Sequence, residues 1–316
     1  MTTFPSPADS PQGVHRIVVL TFDSLPTVEW IHSPRLRRLE LQSLFFERHY
    51  SQIQSADHLG QLLHEWQIQI PLRFVMVRPD EIIENSTWLE SNEICGQSVL
   101  WIHILNAPSP DETNEQFCRR SMETMEAALA GLEFTSRYLM VSAIQTLVAA
   151  DNSGMAVDSQ QWPKVPLWCR LPNRRMQRVQ RLSGSNDLNP TLRAMASGSL
   201  KPATNDLQAQ SSPDREVTDS SRWSTHPQDL LKLSESQGDE DNRAICIETG
   251  ARRLVCTADF VFAQNRPAES SDDLQQEWHD HQLFVLPEDF WHQNDQSRVY
   301  ESVIEDLSRQ LNDQQP

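Results

Sequence analysis

From Arg16 the chain reads RIVVLTF, an unbroken apolar and β-branched run, the pattern of a short strand buried on both faces. The run ends at DSLP, which places Asp23 and Ser24 at the carboxyl end of that strand, where α/β sheets gather their ligands. The period then changes. In SPRLRRLELQSLFFERHY, leucines at 36, 39, 41 and 44 follow Ser33, a helix-capping residue type, and Pro34, suited to a first helical turn. This predicts a helix running into a short strand. Apolar runs at 72–77 (LRFVMV), 98–105 (SVLWIHIL), 138–144 (YLMVSAI) and 165–171 (VPLWCRL) predict further strands. Between them SADHLGQLLHEW and NEQFCRRSMETMEAALAGLE carry helical spacing. Strands alternating with helices in this way predict an α/β sandwich around a largely parallel sheet.

The apolar pattern gives out near residue 197. Residues 198–241 are rich in Ser, Asp, Gln, Pro and Thr, which predicts a flexible low-complexity loop with one helical turn at HPQDLLKL. Beyond it, RAICIETGARRLVCTADFVFA alternates like a hairpin and HQLFVL reads as another strand. DQSRVYESVIEDLSRQL, with apolar residues at 299, 303, 304, 307 and 311, predicts a closing helix. The chain thus divides into a disordered lead-in (1–14), an α/β domain (15–197), the loop (198–241) and a C-terminal module of antiparallel sheet and helix (242–316).

Composition narrows the function. With 27 Lys and Arg against 44 Asp and Glu the formal charge is −17, and no basic stripe offsets it, which argues against nucleic acid as a partner. The cysteines, Cys95, Cys118, Cys169, Cys246 and Cys256, are odd in number and widely spaced, the usage of reduced core thiols rather than of a disulfide or zinc framework. The N-terminal stretch lacks an apolar segment behind basic residues, and no apolar run reaches the ~18 residues a membrane span needs. The expectation is a cytoplasmic protein with no membrane partner.

In their order, these segments resemble the sulfatases of the alkaline-phosphatase superfamily. VVLTFDSL is similar to that family's first strand, which ends in a metal-binding Asp. SPRLRRLELQSLFFERHYSQ looks like its Thr-Pro-Asn-Leu helix and following aromatic strand, and VLWIHILNAPSP like its strand ending in an active-site His. VPLWCRL and DLNPTLRAMAS resemble its Val-Pro-Leu strand and Asp-Leu-x-Pro-Thr-Leu segment, the most specific single match. ARRLVCTADFVFA and the stretch from HQLFVLPEDF to the last helix look like its C-terminal hairpin and closing helix. The resemblance implies an alkaline-phosphatase-like sandwich: a mixed, mostly parallel central sheet plus a small C-terminal α+β module.

It also implies a chemistry that this sequence lacks in part. The family needs a divalent cation, usually calcium, held by clustered carboxylates, a Cys or Ser oxidised to formylglycine, and Lys and His to stabilise charge. Asp23 stands at the first metal carboxylate, but Ser24 stands where the second usually does. Against the Cys-x-Pro-Ser-Arg signal the chain offers Gln54, Ser55, Ala56, Asp57 and His58, and a carboxamide cannot be oxidised to an aldehyde. Ser55 would serve only after a one-residue slip. Where the family continues Ser-Asp-His-Gly, Ile144, Gln145 and Thr146 occupy the places, and only Gln145 could donate an oxygen. His103 persists, while the second histidine of its segment is Pro108.

The site residues to follow are therefore Gln54, His58 and His103 as vestigial catalytic positions, and Asp23 and Gln145 as vestigial metal positions. Each has a plainer reading. Asp23 would cap the next turn, and His103 would be a core histidine bonded to backbone. His279 and His281 in EWHDH share a face if the segment is a strand, but the expectation there is a solvated loop. The tryptophans, among them Trp66, Trp101, Trp162 and Trp168, read as core anchors. Two functions follow: a sulfatase-like pseudoenzyme that needs no cofactor and binds a protein or a small sulfated or phosphorylated ligand, or an active sulfuric or phosphoric ester hydrolase using Ca²⁺ on non-standard ligands.

Overall fold

The computed structural model describes residues 16–26, 34–66, 71–84, 98–109, 111–132, 138–147, 161–162, 164–172, 176–196, 226–235, 243–248, 252–265, 279–286 and 295–312. The lead-in (1–14), Ser33, Cys95, the Trp162 side chain and most of the 198–241 segment lie outside them.

The first half builds β1 (Arg16–Pro26), α1 (Pro34–Leu41), β2 (Ser43–Tyr50), α2 (Ala56–Glu65), β3 (Leu72–Val77), α3 (Pro79–Glu84), β4 (Ser98–Ile104) and α4 (Asn114–Leu132). Then come β5 (Tyr138–Leu147), β6 (Gln161–Trp162), β7 (Lys164–Arg170), β8 (Gln177–Val179), β9 (Ser183–Gly184), a 3-10 turn at Ser185–Asp187, α5 (Leu188–Ala196) and α6 (Leu230–Glu235). These strands form one nine-stranded sheet along β3-β4-β1-β5-β7-β2-β8, with β6 on β5 and β9 on β2. The β3-β4-β1-β5 half is parallel, whereas β7 runs antiparallel to both of its neighbours. Two reversals restore the direction, so β2 ends on the same side of the sheet as β1.

Strand alternation makes two cores. Ile17 and Val19 of β1, with Val99 and Trp101 of β4, pack against Leu59 and Leu63 of α2 and Leu188, Leu192 and Met195 of α5. Val18, Leu20 and Phe22 face the other way onto Leu36 and Leu39 of α1 and Met125, Ala128 and Leu129 of α4. A strand apolar on both faces is what this layering requires.

The C-terminal module is a four-stranded antiparallel sheet, β10 (Ile245–Glu248), β11 (Arg252–Cys256), β12 (Phe260–Asn265) and β13 (His279–Val285), closed by α7 (Glu301–Asn312). Leu307 and Leu311 of α7 pack on Val255 and Phe262.

Three expectations need correcting. β1 does not end at Phe22, because Ser24 to Pro26 continue to pair with Gln145 to Leu147 of β5. The 277–281 segment is not all loop: β13 begins at His279, and His281 lies in it, exposed and packed against Phe262. The closing helix starts at Glu301 rather than Asp295, since the Asp295 carboxylate accepts from the backbone N–H groups of Leu283 and Ser297 and holds a turn there. The helical turn expected at HPQDLLKL is α6, with Leu230, Leu231 and Leu233 buried in the main core. Two residues of the DLNPT motif clasp this segment, the Asp187 carboxylate accepting from Gln228 N at 2.7 Å and Thr191 Oγ1 from Leu230 N at 2.9 Å. Cys118, Cys169, Cys246 and Cys256 are free thiols.

Candidate functional site

The parallel pairing of β1 with β4 sets Thr21 beside His103, and Asp23 follows two residues later on β1. The consequence is a continuous hydrogen-bonded chain. Trp101 Nε1 donates to Thr21 Oγ1 at 2.9 Å, Thr21 Oγ1 lies 3.0 Å from His103 Nδ1, and His103 Nε2 lies 2.9 Å from Asp23 Oδ1. Trp101 and His103 are wholly buried, while the Asp23 side chain keeps 20% exposure. The direction of the protons follows from the indole, which can only donate. Thr21 Oγ1 therefore accepts from the indole, its own hydroxyl proton can go to Nδ1, and Nε2 can then donate to the Asp23 carboxylate. Every member is satisfied in that arrangement.

One simpler reading is thereby corrected: His103 is held by two side chains rather than by backbone, while the turn that Asp23 was expected to cap lies outside the described residues. Thr21 was not singled out from the sequence; the only signal for it was its parity with Asp23 on a strand.

The next residue, Ser24, belongs to a separate network. Gln145 Nε2 donates to Ser24 Oγ at 2.8 Å, as the Ser24–Gln145 register places them side by side. Asn106 Nδ2 reaches the Ser24 carbonyl at 3.1 Å and Ser121 of α4 at 2.9 Å. Arg120 holds the Asn106 carboxamide oxygen and pairs with Glu112 at 2.7 Å, which keeps the Glu112 carboxyl below the usual carboxylate range. Asp23 and Gln145 thus sit on neighbouring strands but are held by different partners. Pro108 is exposed in the loop after β4.

Gln54, Ser55 and His58 form the approach to α2. Ser55 is its N-cap, with Oγ accepting from His58 N at 3.1 Å, so the slipped alternative to Gln54 serves the helix. His58 folds back and accepts from Gln54 N on Nδ1 at 3.2 Å. The Gln54 carboxamide donates to the Glu248 carbonyl of β10. Gln52 makes the parallel contact, from Nε2 to the Cys246 carbonyl at 3.0 Å. β10 is the outer strand of the small sheet, so these two glutamines supply donors to an edge that no described strand pairs. Gly184 makes the approach possible: a Cβ there would lie 3.0 Å from Gln52 Oε1 and 3.1 Å from Ile245 Cδ1.

No family model matches the sequence, and no curated protein matches it. Solved structures do match the fold. The PsFucS1 sulfatase from Pseudoalteromonas sp. aligns over 96% of this chain and 90% of its own, with a TM-score of 0.55 at 8% identity. An alkaline phosphatase superfamily protein from Vibrio parahaemolyticus aligns over 95% and 86%, with a TM-score of 0.55 at 11% identity. A third, solved with its substrate D-glucosamine-2-N,6-O-disulfate, aligns over 94% and 96%, with a TM-score of 0.56 at 10% identity. The chain therefore has the alkaline-phosphatase-like fold of sulfatases. Among the described residues no helix is long and apolar enough to cross a membrane.

Proposed function

We propose that this chain is a sulfatase-fold protein without sulfuric ester hydrolase activity, acting by binding a protein or a small sulfated or phosphorylated ligand. The observation that carries this reading is Gln54 at the head of α2, a carboxamide already engaged by the Glu248 carbonyl where the fold's chemistry needs a thiol or hydroxyl. The donor set also fits calcium poorly. Ca²⁺ takes about six to eight oxygens, several of them charged, and among the described residues no three His, Cys, Asp or Glu side chains converge on one point. Asp23 offers one carboxylate, with Oδ1 already bonded to His103, and Gln145 offers one amide oxygen.

A second reading, an ester hydrolase on non-standard ligands, is favoured by one feature. The Trp101–Thr21–His103 chain orients Asp23 as outer partners orient a metal-ligating carboxylate. The deciding experiment pairs calcium titration calorimetry with turnover of aryl sulfates and aryl phosphates. Silence in both supports the pseudoenzyme. Micromolar calcium affinity with turnover abolished by Asp23→Ala establishes the hydrolase.

A further inference from the structure

In a chain of net charge −17, three arginines far apart in sequence line one small cavity at the junction of the two sheets. Arg48 comes from β2, Arg181 from the link between β8 and β9, and Arg243 from the residues before β10; Gln180, Gln228 and Leu182 complete most of the wall. The cavity measures about 50 Å³, and among the described residues no acidic one lines it. A single water needs about 10–15 Å³ of cavity, so the space takes a few waters or one tetrahedral anion.

Two of the three guanidinia are fixed before any ligand arrives. Arg48 donates through one terminal nitrogen to the carbonyls of Thr257 and Ala258, and among the described residues its guanidinium meets no carboxylate. Arg243 is buried and immobilised, with NH1 on the Leu182 carbonyl at 2.6 Å and NH2 on Asp187, while its Nε has no partner among the described residues. Gln228, which lines the cavity, is anchored by its backbone N–H on Asp187. Gln180 is exposed at the mouth.

Two bases nearby register the resulting positive potential. Burial and then the Arg243 charge lower His49 to about 3, and burial and then the Arg48 charge lower Lys164 to about 7. An anion in the cavity would offset the charge that both respond to.

We propose that this cavity binds a tetrahedral oxyanion, sulfate or phosphate, free or as the head of a monoester, through Arg48, Arg181, Arg243 and the two glutamine carboxamides. Paired, preorganised guanidinia are the usual protein answer to such ions. The site is separate from Asp23 and does not depend on whether the chain is a hydrolase.

The test is titration calorimetry of the full chain at constant ionic strength with four probes: inorganic sulfate, inorganic phosphate, glucosamine 6-sulfate and glycerol phosphate. Sodium chloride is the blank. Saturable binding of one equivalent is expected. Gln180→Glu, at an exposed position that folding tolerates, should weaken it about tenfold or more by placing a negative charge at the mouth. Arg48→Gln should do the same, and Asp23→Ala should leave the affinity unchanged. Tighter binding of an ester than of its inorganic anion assigns the ligand as an ester, and the reverse assigns the free ion. Absence of binding to all four probes overturns the proposal, as does binding that survives Gln180→Glu and Arg48→Gln or that changes with Asp23→Ala.

Discussion

His103 holds Asp23 from a wholly buried ring, Nε2 to Oδ1 at 2.9 Å, and the opposite ring nitrogen is held in turn by Thr21. The carboxylate therefore meets the surface in one orientation. The arrangement needs no ion to be internally satisfied, which separates the stability of this strand end from any metal.

Thr21→Val tests that relay. Valine matches threonine in shape but removes the hydroxyl, leaving the Trp101 indole N–H and His103 Nδ1 buried without partners. At about 1–3 kcal/mol for each such group, urea unfolding should show a loss of about 2–6 kcal/mol. Adding Trp101→Phe removes one orphan donor, so the double variant should fall short of the sum of the singles. Strict additivity would mean that the three residues do not act as one chain.

His49 predicts an acid limb in stability. Its Nδ1 meets Ser183 Oγ at 3.0 Å, its Nε2 is unpartnered among the described residues, and burial with Arg243 lowers it from 6.5 to about 3. The unfolded chain binds a proton near 6.5 that the folded chain refuses until about 3, so stability is full above that window and is lost as pH falls through it. Between about pH 7 and about pH 5 the wild type should lose up to about 2 kcal/mol more than His49→Gln in matched urea titrations. Equal losses would show that another group sets the limb.

Asp187 should be the most sensitive residue of the DLNPT motif. Its carboxylate accepts from Gly184 N and Gln228 N, each at 2.7 Å, and pairs with buried Arg243, so one side chain ties β9, the α6 segment and the start of β10 together. Asp187→Ala leaves Arg243 buried without its counter-charge, a loss of about 3–5 kcal/mol. Limited proteolysis of the variant should cut within 226–235, which the wild type protects. Unchanged cleavage there would place the clasp elsewhere.

Much of the fold was legible in period and order. LRFVMV is β3 residue for residue, and SADHLGQLLHEW is α2 with its Ser55 cap. Segments whose apolar content is small were harder. The six-residue α3, with Ile82 buried at its centre, had no legible pattern, and the helical turn at α6 was legible whereas its clasp by Asp187 and Thr191, more than thirty residues away in the chain, was not. At the site, Asp23 and His103 were legible as residues but their pairing was not, because it depends on strand register. The arginine cavity was invisible for the same reason: positions 48, 181 and 243 meet only after the second sheet docks.

The last prediction concerns repair of the apparent nucleophile position. Gln54→Cys, coexpressed with a formylglycine-generating enzyme, should yield no aryl sulfate turnover even in saturating calcium. The substitution removes the bond to the Glu248 carbonyl and so loosens one of the two glutamine contacts to β10, Gln52 keeping the other. It restores neither the proline and arginine of the conversion signal, whose places hold Ala56 and His58, nor a second carboxylate at Ser24, whose hydroxyl is engaged by Gln145. With Asp23 as the one carboxylate identified at the site, the ion that would orient and polarise the ester should not be held. Mass spectrometry of the variant should find an unconverted thiol at position 54, and calorimetry should find no calcium heat. Turnover by Gln54→Cys that disappears on chelation would show that the metal set survives in residues other than those identified here, and the hydrolase reading would then stand.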